Sequence, residues 1–509
     1  MPNQTSENNK RIAKNTLFLY VRMFIVMVVS LFTVRIVLNA LGTEDYGIYN
    51  VVGGVVTMFS FLTSTLISAS QRFFSYSLGK KDNLMLSRYF SMLFWCYLGL
   101  VLIIAFLAET IGLWFVTNKL TIPSERMSAA ICVFQFAILS FAANILVIPY
   151  NSIIIAREKM NIYAVVGLME VLIKLGIVYF LYISPIDKLK MYSLLMFISS
   201  TLVSTFYIAY GVKKFSECKI RFFWNTNIFR EVLNYSGWSL FGAISGVFRS
   251  QGINILLNIF FSPVVNTARA IAFQVNNAIN QFVLNFYKAV QPQITKYYAA
   301  SDEMEFMKLI FRSSRYCYYL ILTLSLPVLF EMPFILGLWL KNVPDGAVLF
   351  TRLVVITAII DSMAYPLQTA TAATGEIKWY QIVTGGLLIM NLPISWLFLR
   401  MGYPAEITMY IAIAIALISQ LSRIMFSKHL INLSIKQYFN DVFCRILLIS
   451  IFSIIPIHLL KQHLEVRLSS SIIIILCSIG WTILIVYILG IPFSEKKALN
   501  KIIIGIVKQ

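Results

Sequence analysis

Stretches of about 20 mostly apolar residues, the length a helix needs to cross the hydrocarbon of a bilayer, recur along almost the whole chain. Fourteen can be drawn, at roughly 15–40, 47–70, 90–116, 127–155, 161–183, 191–212, 236–260, 266–288, 308–330, 348–372, 378–399, 405–426, 441–460 and 470–491. The longest polar connection inside this region is KKFSECKIRFFWNTNIFR (213–230). The pattern predicts an all-α integral membrane protein. A tail (1–14) precedes a first six-helix lobe (15–212), and a basic linker (213–235) leads to a second six-helix lobe (236–432). An appended helix pair (433–491) and a tail (492–509) complete the chain. The first span is too long for a signal-peptide core and no small-residue cleavage site follows it, so it is expected to be retained.

The two lobes echo each other. SQRFFSYSLGKKD (70–82) aligns with VQPQITKYYAASD (290–302), matching Gln71 to Gln291 and Asp82 to Asp302. Pro149 and Pro366 are separated by 217 positions, as are Tyr163 and Tyr380. Six spans is an even number, so both lobes start from the same side of the membrane. That makes a parallel repeat, related by a pseudo-two-fold axis along the membrane normal, an arrangement typical of transporters with a site between halves.

Composition agrees with the pattern: of 509 residues, 59% are hydrophobic and 13% charged, against about 25% charged in soluble domains. The net charge of +20 would suggest nucleic acid, but its placement argues otherwise. Lys10, Arg11, Lys14, Lys80, Lys81, Arg88, Lys213, Lys214, Lys219, Arg221 and Arg230 all fall on one side of the predicted topology, and the opposite turn LGTEDYG (41–47) carries only acids. This is the positive-inside bias. It places both termini in the cytoplasm of a multi-pass protein and removes the case for nucleic acid. The six cysteines have no paired spacing and are read as small packing residues. His429, His458 and His463 have no ligand spacing, no phosphate-binding glycine loop occurs, and no catalytic, metal or ATP-binding residue is assigned.

Polar residues inside the spans carry the functional expectation. NTARAIAFQVNNAINQF (266–282) holds Arg269 and six side-chain amides. At 100° per residue, Gln274, Asn277, Gln281, Asn285 and Lys288 share one helical face, with Arg269, Asn276 and Asn280 on another. A milder stripe, Thr57, Ser60, Ser64, Ser68 and Gln71, marks span two and is compatible with helix packing. Arg22, Arg35, Glu170, Lys174, Arg249 and Asp361 complete the ionisable set, five cations against two acids. Charges at a helix centre cost several kcal/mol and usually face an internal path. Glu170 and Lys174, one turn apart, are expected to pair. Asp361 is read with equal weight as an ion-coupling site or as a partner for Arg22 or Arg249. An excess of guanidinium in a low-dielectric chamber calls for water or an anionic guest, and the guanidinium fork suits phosphate.

The segments 15–54 and 266–299 resemble lipopolysaccharide and capsular polysaccharide flippases of the multidrug/oligosaccharidyl-lipid/polysaccharide exporter superfamily. The resemblance implies movement of an undecaprenyl-diphosphate-linked O-antigen, capsule or exopolysaccharide repeat unit from the cytoplasmic to the outer leaflet of a bacterial inner membrane. It implies Arg22, Arg249 and Arg269 as diphosphate ligands and Arg72 as a weaker one; the residue pattern itself adds Arg35 as a weaker candidate and a cavity lined by Gln274, Asn276, Asn277, Asn280, Gln281 and Asn285. The resemblance also implies lipid-linked glycan and membrane lipids as partners, with a polysaccharide polymerase and glycosyltransferases nearby. No cofactor is expected; coupling to membrane potential, H+ or Na+ is left open. Two alternatives stand beside it: a multidrug or organic-cation antiporter of the same superfamily, and a non-transporting scaffold for glycan assembly.

Overall fold

A computed structural model describes residues 11–12, 14–26, scattered positions from 29 to 56, and 59–492 with short breaks at 119, 121, 184–186, 262, 341–342 and 465–467, together with 495–496. Arg35, Thr57 and most of the 41–47 turn lie outside the described residues. The chain forms two units, Lys14–Leu240 and Phe241–Gln509, the second taking the first thirteen residues as well.

In the first unit, α1 (residues 14–26) is followed by α2 (Ser60–Gly79), α3 (Asn83–Leu107), α4 (Leu113–Asn118), α5 (Met127–Leu146), α6 (Ile148–Ala156), α7 (Met160–Ile183) and α8 (Lys188–Lys214). Helix α9 (Thr226–Val247) runs across the division between the units. The second unit continues through α10 (Ile253–Phe260), α11 (Pro263–Ala299), α12 (Glu303–Phe330), α13 (Met332–Trp339), α14 (Ala347–Ser362) and α15 (Ala364–Thr374). It ends with α16 (Lys378–Arg400), α17 (Ile407–Ile431), α18 (Ile435–Tyr438), α19 (Arg445–His463) and α20 (Leu468–Ile485).

The repeat read from the sequence is written into the joints. Helix α2 ends with Asp82 N–H bonded to Ser77 O (3.0 Å), Lys81 at φ 56°, and the Asp82 carboxylate accepting from Met85 N–H to start α3. Helix α11 ends with Asp302 N–H bonded to Tyr297 O (3.1 Å), Ser301 at φ 55°, and Asp302 capping α12 through Glu305 N–H. A left-handed residue satisfies the last carbonyls of one helix, and the aspartate satisfies the first amides of the next. The breaks α5–α6 and α14–α15 correspond too, each with a proline in the first turn or two of its second piece, Pro149 and Pro366, and each closing on a left-handed residue, Glu158 (φ 60°) or Gly375 (φ 85°). Packing partners recur as well. Helix α2 packs on α3 and α6, α5 on α8, and α7 on α8; in the second unit α11 packs on α12 and α15, α14 on α17, and α16 on α17.

Among the described residues, nine helices are long and apolar enough to cross a membrane, or eleven if each of two bent pairs is one span. Helix α11 is not among them, because its amide-rich face makes it too polar. At 37 residues it is about 55 Å long, more than the hydrocarbon thickness of about 30 Å. It continues past the expected end at 288 with Pro292 inside it. The predicted 213–235 linker is also shorter than expected. Asn225 Oδ1 accepts the amides of Asn227 (3.0 Å) and Ile228 (3.1 Å), so α9 begins at Thr226, ahead of its apolar stretch.

Helix packing, rather than expulsion of water, holds such bundles together in lipid. Phe74, Phe90 and Tyr150 are fully buried in the first unit, with Phe90 and Tyr150 edge to face at 5.0 Å. In the second unit the appended α19 and α20 pack on α12. Glu331, buried at the 81° bend between α12 and α13, receives Lys461 Nζ at 2.8 Å and Ser471 Oγ at 2.8 Å.

Candidate functional site

Arg22 projects from α1 onto α7. Its guanidinium stacks 4.4 Å above the Tyr163 ring and crosses Gly167, one turn further on, where a Cβ would lie 1.9 Å from Nε. Nε is buried and has no hydrogen-bond partner among the described residues. A cavity of about 260 Å³ opens beside it, lined in part by Thr33, Glu170, Lys174 and Tyr192. Lys174 Nζ donates to Glu170 Oε1 at 2.7 Å, so the i, i+4 neighbours expected to pair do so. Among the described residues, two cations and one carboxylate give the lining a charge of +1, and no carboxylate engages Arg22.

In the second unit, Arg249 Nη1 donates to Asp361 Oδ2 at 3.1 Å. Of the partners considered for Asp361, the fold selects Arg249. Arg249 lies in a π-helical turn, Phe248–Gly252, that interrupts α9 and α10. Close approach to α16 positions this segment: a Cβ on Gly242 would lie 2.2 Å from Gln381 Oε1, and one on Gly252 would lie 2.4 Å from Leu392 Cδ1. The other oxygen of Asp361 lies 4.0 Å from Arg423 Nη1 on α17.

Arg269, expected as a diphosphate ligand, has hydrogen-bond partners on its own hairpin, while its Nε has none among the described residues. It is buried, donates to the Ser250 carbonyl at 2.8 Å and to Asn254 Oδ1 at 3.4 Å, and stacks 4.4 Å from the Phe273 ring. Asn266 Nδ2 donates to the Asn254 carbonyl at 2.8 Å. Both side chains therefore tie α11 to α10 across the intervening turn. Arg72 is also enclosed: it donates to Glu231 Oε1 at 3.2 Å and lies 4.6, 5.2 and 5.4 Å from the rings of Phe73, Tyr76 and Tyr235, while Tyr89 OH donates to Glu231 Oε2 at 2.8 Å. Along α11, Gln274, Asn277 and Gln281 are exposed and Asn285 half-buried, and on the second face Asn280 Nδ2 donates to Asn276 Oδ1 at 3.1 Å.

Outside the spans, Arg126 bonds Asp45 with Nε (2.8 Å) and Nη2, and Asp187 with Nη1 (2.6 Å). Burial alone would raise the Asp187 carboxyl. The backbone amide of Lys190, the Arg126 guanidinium and the amide of Leu189 outweigh it and hold the group below its ordinary value. Among the described residues no three His, Cys, Asp or Glu side chains are grouped to hold a metal.

No family model matches the chain, and no curated protein matches it. Solved structures do. An outward-facing multidrug resistance MATE family transporter of the MOP superfamily superposes with a TM-score of 0.71 at 13% identity, over 83% of this chain and 97% of that one. A MATE protein in complex with MaD3S gives 0.70 at 13%, over 82% and 96%. A MOP superfamily transporter from Pyrococcus furiosus, whose reversed binding-pocket polarity suggests a different function for it, gives 0.67 at 13%, over 83% and 97%. The chain has the MATE fold. At these identities the likeness extends to architecture, and the chemistry must come from the side chains.

The count of in-span charges omits five arginines, Arg312, Arg315, Arg352, Arg423 and Arg445, and three of them matter here: Arg315 on α12, Arg352 on α14 and Arg423 on α17. Arg315 bonds Glu495 (2.6 Å) and the Asp441 carbonyl (3.1 Å), and Arg352 bonds the Leu329 carbonyl (3.1 Å). Arg423 alone of the three approaches a candidate site residue. Its position near a span end reads as a topology marker, so only the approach of α17 to α14 reveals it.

Proposed function

We propose that this protein is an inner-membrane transporter that carries an undecaprenyl-diphosphate-linked oligosaccharide from the cytoplasmic to the outer leaflet by alternating access. The supporting observation is the Arg22 cavity, where a half-buried arginine, whose buried Nε has no hydrogen-bond partner among the described residues, borders a space whose described lining is net positive. Unsatisfied buried donors are costly, and a phosphoryl oxygen is the partner best matched to a guanidinium. On this reading the diphosphate engages arginine and the polyprenyl tail stays in lipid. With a negative cytoplasm, outward movement of each negative charge gains about 2.3 kcal/mol per 100 mV.

The MATE fold fits a multidrug antiporter equally well, and one of the matching transporters is of that kind. The charges favour the anionic cargo. An organic-cation carrier needs an available carboxylate, whereas Glu170 and Asp361 already lie 2.7 and 3.1 Å from cations. The two readings separate in cells carrying Arg22→Ala. Lipid-linked glycan should accumulate in the inner leaflet while the protein inserts normally and cationic dye efflux is unchanged. Wild-type glycan export in both Arg22→Ala and Arg249→Ala removes the proposal, and loss of dye efflux alone favours the antiporter.

A further inference from the structure

Asp361 bonds one guanidinium and stands near a second. Arg249 reaches one oxygen through a single bond of 3.1 Å, and Arg423 stands 4.0 Å from the other. A carboxylate that is the intended partner of an arginine commonly takes two parallel bonds from one fork. Here one small anion lies between two forks, one from the π-helical turn after α9 and one from α17, and the three groups sum to +1. Among the described residues, the Nε of Arg423 is buried without a hydrogen-bond partner.

The surroundings are those of a site that moves. Arg249 occupies a π-helical turn, a feature that recurs at functional positions. Asp361 lies two residues before Met363, where α14 and α15 meet at a 41° bend. The Arg249 and Asp361 side chains are 21% and 26% exposed, and exposed charge within spanning helices belongs against water rather than acyl chains.

We propose that Asp361 is a tethered stand-in for a phosphoryl group: it occupies the space between Arg249 and Arg423 when the site is empty, and an incoming diphosphate displaces it and takes both guanidiniums. A diphosphate carries the further oxygens that a carboxylate lacks, so both forks are engaged in place of one bond and one near contact. Arg423 thereby becomes a ligand residue, and Asp361 sets how tightly the anion is held and how readily it leaves. The choice of diphosphate rests on the proposed lipid-linked cargo; the pairing of the two arginines does not.

The test is binding of inorganic pyrophosphate and of farnesyl diphosphate to the purified full-length protein, followed by calorimetry, for wild type, Asp361→Asn, Arg423→Gln and Arg423→Lys. Asp361→Asn removes the competitor at almost constant shape and should bind both probes about tenfold more tightly. Arg423→Gln should bind about tenfold more weakly, the loss expected for one charged hydrogen bond, and Arg423→Lys should recover part of it. Asp361→Asn binding no more tightly than wild type overturns the proposal, as does Arg423→Gln binding like wild type. If Arg423→Gln does not fold, Asp361→Asn decides alone. Similar affinity for the two probes supports recognition of the diphosphate, and binding of the prenyl compound alone overturns it. Export lost in Arg22→Ala with no pyrophosphate bound by any form sinks this inference and leaves the transport reading intact. Normal export in both Arg22→Ala and Arg249→Ala, with tighter binding by Asp361→Asn, does the reverse.

Discussion

Gly167 offers a way to move Arg22 without touching its charge. An alanine at 167 would place Cβ 1.9 Å from Nε, 2.7 Å from Cδ and 2.9 Å from Cζ of Arg22. The methyl group is fixed to α7, so the arginine must swing off the Tyr163 ring. Losing that stacking costs about 0.5–2 kcal/mol, while replacing glycine inside a helix returns about 1 kcal/mol. Stability should therefore stay within about 1 kcal/mol of wild type. Binding should not, because a hydrogen bond from a charged group is worth about 1.5–3 kcal/mol. Its loss lowers apparent affinity by roughly ten- to a hundredfold. Gly176 is the control, lying on the same helix with nothing within 4 Å of the place an alanine methyl would take. Thermal unfolding and leaflet-resolved glycan export should be measured for Gly167→Ala, Gly176→Ala, Arg22→Ala and the Gly167→Ala/Arg22→Ala double variant. Gly167→Ala should lose export at near-normal stability, Gly176→Ala should keep it, and the double variant should match Arg22→Ala. Full export in Gly167→Ala, or a further loss when it is added to Arg22→Ala, would refute the claim that Gly167 acts through Arg22.

Three further outcomes follow from the ion pairs. The carboxyl of Asp187 is held below its ordinary value, so its contribution to stability is complete above about pH 4 and is lost as pH falls through the folded value; Asp187→Asn should flatten the acid limb of a Tm-against-pH curve. Glu331→Gln removes the carboxylate that receives Lys461; because Lys461 is 39% exposed and keeps the Phe330 carbonyl, the cost should be about 1 kcal/mol, read as a slightly lower unfolding temperature. Glu231→Gln removes the one carboxylate paired with Arg72 among the described residues, and should lower thermal stability more than Glu231→Asp, with the aromatic enclosure retaining part of the arginine's binding.

Much of the architecture was legible because a membrane permits few solutions. Apolar length announces a span, and a shared offset announces a repeated unit. Asp82 and Asp302 were matched in the sequence, and both prove to be N-caps following a left-handed residue. The start of α9 was missed because Asn225 capping, not hydropathy, sets it. The candidate arginines were found by type, but their roles depend on neighbours far away in sequence. Arg269 looks like Arg22 on a hydropathy plot, yet Arg269 donates to the Ser250 carbonyl while Arg22 stacks on Tyr163 beside a cavity. Arg423 escaped notice because its relation to Asp361 exists only once α14 and α17 are packed.

The hydrogen bonds of Arg269 to its own hairpin bear on how genetics of this protein should be interpreted. An inactive substitution there would be scored as a cargo defect by any assay that measures only export. Because the side chain holds the turn between two consecutive helices, the same phenotype would arise from a hairpin that assembles poorly. Abundance and protease resistance therefore need to accompany every activity measured at that position, whereas Arg22, held by a ring face and an open glycine, can be scored on activity first.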